Sequence, residues 1–155
     1  DDFIFQIGTN DGKDEVYFAK IKPEKSLIET YNSAVDRIKK NEVEYLDFEE
    51  QLKIPFIKFN TQKEFKEIIN NQIQNSGFKN YFIGKAIQFI NFDLNANGIL
   101  LESLSEMNAL EAITEEEPRK FIFDKPFLII MKEKDKPLPY FLMWVGNSDL
   151  MQMDE

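Results

Sequence analysis

The residue types that could do chemistry in this chain are almost all carboxylates. Glu42, Glu44, Asp47, Glu49 and Glu50 crowd one segment, and Glu115, Glu116 and Glu117 another. Paired acids can hold a hard cation or serve as the acid and base of a glycosidase. Neither cluster has the Asp-x-Asn-x-Asp-Gly spacing of a calcium loop, so a solvated acidic surface is the favoured reading, and no metal or cofactor is expected. Asn10-Asp11-Gly12-Lys13 follows an apolar run, as a phosphate loop would, yet it lacks the second glycine and the following helix. A hairpin turn accounts for it better. Ser26, Ser33, Ser76, Ser103, Ser105 and Ser148 include no Gly-x-Ser-x-Gly elbow.

Composition removes most of what remains. The 155 residues include no His and no Cys. That excludes disulfides, Cys/His zinc sites, Cys nucleophiles and any scheme that uses imidazole as base, so no catalytic residue is expected. Lys+Arg 19 against Asp+Glu 28 gives a net charge of −9 and a pI of about 4.7. Neither nucleic acid nor an anionic membrane surface is an expected partner of so acidic a chain. No apolar run approaches the roughly 20 residues of a spanning helix, and Asp1-Asp2-Phe3 begins no signal peptide. A soluble chain is the expectation, and the absence of Cys leaves its compartment open. At 43% hydrophobic residues, with 15 Phe, the chain can bury the core of about one domain.

Hydrophobic periodicity supplies the elements. Phe3 to Ile7 and Glu15 to Ile21 are β-rich runs around a stretch of turn formers, a hairpin. Ser26-Leu27-Ile28-Glu29 is a capping box, and Leu27, Ile28, Tyr31, Val35 and Ile38 follow at helical spacing. Leu52 to Phe59 reads as a strand with an edge or a break at Pro55, which cannot donate to a ladder. Thr61-Gln62-Lys63-Glu64 is a second capping box, and Phe65, Ile68, Ile69 and Ile73 predict a second helix that ends before Ser76-Gly77. Tyr81 to Leu94 reads as one long strand. Residues 98–120 then separate two strongly β regions, a connection long enough to be functional. Phe121 to Met131 and Tyr140 to Val145 close the chain as a hairpin of two buried strands. The phenylalanines at 56, 59, 89, 92, 121, 123, 127 and 141, with Trp144, are the candidate core. The sum is an α+β fold of mainly antiparallel sheets with two to three helices.

The C-terminal pattern carries a resemblance. Phe121-Ile122-Phe123-Asp124-Lys125-Pro126-Phe127, followed by Tyr140-Phe141-Leu142-Met143-Trp144-Val145, resembles the C-terminal strand pair of the serpin family. Leu52-Lys53-Ile54-Pro55-Phe56-Ile57-Lys58-Phe59 is similar to that family's Leu-x-Leu-Pro-Lys-Phe strand. Gly84 to Gly98 resembles the long strand that leads into the reactive-centre loop. The pieces come in the family's order and span nearly all of residues 1–155, which the resemblance makes a single serpin-like segment with an exposed loop at 98–120.

The departures bear on function. In inhibitory serpins small residues follow the loop's first glycine, because they must slip into a tight sheet. Here Gly98 is followed by Ile99-Leu100-Leu101-Glu102. Burying bulky side chains between packed strands costs about 1 to 3 kcal/mol per overpacked site, so fast insertion at the hinge Gly98, Ile99 and Leu101 is not expected. Trp144 and Gln88 replace an expected Gly and His. Serpins are also more than twice this length, and a shortened relative would leave a sheet edge unpaired. The resemblance therefore favours the C-terminal part of a longer chain, with its N-terminal portion as one partner, over a shortened relative that covers its sheet some other way.

The expected function is that of a non-inhibitory serpin-like protein presenting residues 98–120 to a protease, another protein or a ligand. An unrelated α+β binding or structural module is the alternative. A serine or cysteine protease inhibitor acting through the same loop is a further one, with its scissile bond near Ala112 and Ile113 by the family's usual loop length. The resemblance alone favours secretion, and the residues themselves leave the compartment open.

Overall fold

The structure, a computed structural model, describes residues 2–9, 12–94 and 118–152. It divides into two units, residues 1–55 with 99–149 and residues 56–98 with 150–155.

The first unit is built on the expected N-terminal hairpin. Strands β1 (Phe3–Ile7) and β2 (Asp14–Lys20) pair antiparallel with Phe5 opposite Phe18. Gly12 turns the chain at a φ of 64°, a conformation that costs an L side chain steric strain, and its amide donates to the Thr9 carbonyl at 3.1 Å. Helix α1 (Leu27–Lys40) starts where the capping box places it, with the Ser26 hydroxyl accepting from the Glu29 amide. Thr30, buried in the first turn, donates to the Ser26 carbonyl and accepts from the Glu24 amide. Its hydroxyl is thus satisfied, as burial requires.

The C-terminal hairpin completes the same sheet. Strands β7 (Phe127–Glu133) and β8 (Phe141–Val145) give the order β1-β2-β7-β8, antiparallel throughout. Tyr17 lies opposite Ile130, Ala19 opposite Leu128, and Leu128 opposite Trp144, so these side chains share one face. On that face Tyr31 and Ala34 of α1 join Tyr17, Ala19, Ile21, Leu128 and Ile130 in one buried cluster, flanked by Val35, Ile38, Leu142 and Trp144. Leu27 and Ile28, expected on the buried stripe, are exposed, because α1 meets the sheet only from its second turn.

The opposite face of the sheet is aromatic. Phe127 to Ile130 are all buried, which is why β7 reads as a continuous apolar run rather than an alternating one. Phe18 and Phe127 project there, and Phe123 packs on both at 5.9 and 5.0 Å between ring centroids. Phe3 stands edge-on to Phe121 and Phe123. Each such edge-to-face pair adds about 0.5 to 1.5 kcal/mol beyond the area buried. The segment over this face carries β6 (Lys120–Ile122), which pairs parallel with β3 (Gln51–Lys53). Phe121 to Met131 is therefore not one strand. Asp124-Lys125-Pro126 splits it, since Pro126 has no amide to donate and Asp124 turns aside to pair with Lys20.

The second unit is a sheet in the order β5-β4-β9, formed by β4 (Phe56–Glu64), β5 (Ile87–Leu94) and β9 (Met151–Gln152). The break expected at Pro55 separates β3 from β4. The expected helix beginning at Thr61 is absent: β4 runs through the second capping box and pairs with β5 from Ile57–Leu94 to Glu64–Ile87. Only a 3₁₀ turn at Lys66–Ile68 follows. A short isolated helix holds little stability, whereas eight strand residues find partners, and Asn70 at a φ of 65° stops helical continuation. The long strand expected from Tyr81 begins only at Ile87; before it the chain makes a single bridge, Gln72 with Phe82. Phe59 stacks on Phe92 at 5.5 Å, and Lys58 pairs with Asp93 across the strands at 2.7 Å. Phe89, a candidate core residue, is 73% exposed. One α-helix and one 3₁₀ turn among the described residues replace the two to three helices expected, and the α+β class with mainly antiparallel sheets holds.

Candidate functional site

The loop singled out by sequence lies between β5 and β6, and its named residues, Gly98, Ile99, Leu101, Ala112 and Ile113, fall outside the described residues. What the structure describes are the two roots of the connection. The first is β5, whose Leu94 pairs with Ile57. The second is Pro118-Arg119-Lys120, which enters β6 in the other unit.

Arg119 organises the second root. Its Nη1 donates to Glu44 Oε2 at 2.5 Å and its Nε to Glu50 Oε1, and the guanidinium lies over the Phe121 ring, 5.4 Å from its centroid. A planar guanidinium can serve two carboxylates and a ring at once, as a lysine could not. Glu50 is 6% exposed at its side chain. The hydrogen bond from Arg119, and after it that from the Asp47 amide, holds the Glu50 carboxyl below its ordinary range. The same two acids push the Arg119 pKa up. Backbone bonds complete the joint: the Gln51 amide donates to the Arg119 carbonyl, and the Phe123 amide to the Lys53 carbonyl.

A second clamp lies at the other end of β6. Lys20 Nζ donates to the Ile122 carbonyl at 2.7 Å and to Asp124 Oδ1 at 2.5 Å, and sits 5.3 Å from the centre of the Phe3 ring. The Lys20 hydrogen bond lowers the Asp124 carboxyl pKa. The carboxylates and cations here are paired with each other, and no group of three or more Asp and Glu side chains converges to hold a metal ion among the described residues. Nor is any helix among them long and apolar enough to cross a membrane.

By sequence the acidic segment at 41–50 is solvated surface. That holds for Glu42, Asp47 and Glu49, but Glu44 and Glu50 are structural partners of Arg119. The signal was present: Arg119 is one of only two arginines, placed directly after Glu115-Glu116-Glu117-Pro118 and before an aromatic strand. Nothing local to residues 41–50 shows that it would come back to them.

No protein-family model and no curated protein matches the chain. Thirteen chains of solved structures do. One is Serpin48 of the insect Tenebrio molitor, described as a highly specific serpin, with 17% identity and a TM-score of 0.46 over 86% of this chain. The match spans 38% of that structure's chain.

Proposed function

We propose that this chain is the C-terminal part of a serpin-like protein that does not inhibit proteases and presents residues 98–120 as a binding segment. The reading assigns it a binding role rather than an enzymatic one, in keeping with the absence of His and Cys. Its serpin-like character rests on the family-like runs in the sequence. Parts of three of them are strands: Phe56 to Phe59 in β4, Ile87 to Leu94 in β5, and the β7–β8 hairpin.

The observation that carries the non-inhibitory reading is the run Ile99-Leu100-Leu101 after Gly98. An inhibitory loop must enter a sheet between strands at native packing density, and side chains of this size oppose entry. Incubation with elastase-, trypsin- and subtilisin-like proteases tests this. The expected result is cleavage confined to residues 99–117, no covalent complex that survives denaturant, and no rise in melting temperature. A denaturant-resistant complex would overturn the non-inhibitory reading. Cuts spread evenly through the strands would overturn the presented loop and favour an unrelated module. An upstream reading frame encoding a helix-rich extension supports the C-terminal assignment, and a start codon at the first residues opposes it.

A further inference from the structure

Residues 41–50 leave α1 and reach β3 without regular structure, and they carry large apolar side chains on the outside. Val43 is 74% exposed, Tyr45 86% and Phe48 104%, as open as in an isolated extended peptide. Scattered exposed apolar residues are ordinary, but three within six positions, two of them aromatic, form a patch of the kind that marks association. Asp47 lies between them and Glu42 and Glu49 flank them, and these three carboxylates make no ion pair among the described residues. The strip is therefore a ridge of aromatic and aliphatic groups framed by carboxylates that are free to meet cations.

The backbone beneath the ridge is tied down. Arg119 holds Glu44 and Glu50, the Glu50 carboxylate accepts from the Asp47 amide at 3.0 Å, and the Glu50 amide donates to the Asp47 carbonyl at 3.1 Å. Of the polar anchors Glu50 is withdrawn from solvent while Glu44 and Arg119 stand at the surface, and every large apolar group from Val43 to Phe48 except Leu46 is exposed. The turn from Asp47 to Glu50 is thus ordered before any partner arrives, which lowers the entropic cost of binding there.

We propose that residues 42–49 form a docking strip for a partner protein whose surface bears basic side chains around an apolar groove. The groove receives Tyr45 and Phe48, while Lys or Arg side chains on its rim meet Glu42, Asp47 and Glu49. Charge complementarity selects this occupant over a second copy of the chain, because two such strips facing each other would oppose like charges. It also disfavours a phosphate-bearing partner. The inference is independent of the reading of the 98–120 loop.

The test is selection from a random linear peptide library on the immobilised chain, with the Val43→Ser, Tyr45→Ser, Phe48→Ser triple variant as counter-target. Because these side chains stand in solvent, the variant should melt at the same temperature as the parent. Peptides with Lys or Arg interleaved among apolar residues are expected to enrich, to weaken as salt rises, and to lose about thirtyfold in affinity on the triple variant, the loss typical of a removed aromatic anchor. Enrichment of peptides that bind parent and variant equally would overturn the proposal, as would binding of polylysine undiminished by the variant, which would reduce the strip to bare charge. Salt-strengthened self-association lost in the variant would assign the ridge to a second copy instead. Slow hydrogen exchange at Val43 to Phe48 in the longest natural form of the chain would show it covered from within, and would equally overturn it.

Discussion

Arg119 binds two carboxylates from one side and a phenyl ring from the other. Arg119→Gln keeps a polar side chain but removes the charge, so the Glu50 carboxyl should return upward to the ordinary range, readable by NMR titration of its side chain. Proteolysis within residues 42–50 should quicken several-fold in the same variant, while a mere loss of surface charge would leave that rate unchanged. Titration follows from the same local geometry. The carboxyls of Asp2, Glu50 and Asp124 are lowered by hydrogen bonds from Arg37, Arg119 and Lys20. Their contribution to stability is present above the ordinary carboxylate range and is lost as pH falls through their folded values. Tyr17 behaves in the opposite sense. Burial first, and the Glu15 carboxylate second, push its phenol from 10.0 up to about 12, so the stability it contributes is present below pH 10.0 and disappears as pH climbs toward 12. Chemical denaturation at stepped pH should therefore fall away on both sides, and Tyr17→Phe should flatten the alkaline limb alone.

Elements show where local signals suffice and where they fail. The hairpin and α1 were legible because the glycine turn, the Ser26 cap and the apolar spacing lie within each element. Thr61 to Glu64 carries the same kind of signal, yet it lies in β4, because the ladder with β5 outweighs a capping motif once the partner strand is present. Thr61→Val separates the two states. It would remove a helix cap at a cost of about 1 kcal/mol, whereas in a strand opposite Ile90 a β-branched apolar residue should leave stability unchanged or slightly raised, as urea denaturation will show. Ser26→Ala, at a real cap, should lose that same ~1 kcal/mol. Leu128 sits at the meeting of β2, β7, β8 and α1 with no exposed surface, and Leu128→Ala should cost about 2 to 5 kcal/mol. The parallel pairing of β3 with β6, and with it the Arg119 joint, was not legible at all. Three-residue strands have no measurable period, and their register is set by the aromatic face below β6.

At the scale of the molecule, partners in the first unit are distant in sequence. Lys20 reaches Ile122 across 102 positions, and β2 is flanked in the sheet by β1 and by β7. The tie between β3 and β6 encloses the whole run of residues 54–119. Contacts of such long range are formed slowly, because the closure entropy comes before the reward. Refolding followed by pulsed hydrogen exchange should show the amides of β2 and β7 gaining protection together, with no earlier stage in which the hairpin of β1 and β2 is protected alone. The four-stranded order also has a meaning during synthesis. β2 is made well before β7, the strand that flanks it in the sheet, so while the residues between them are being synthesised one edge of β2 and the apolar face it shares with α1 stay uncovered. Through that interval the apolar surface is open to aggregation, and a chain that stops before residue 127 lacks the strand that pairs with β2.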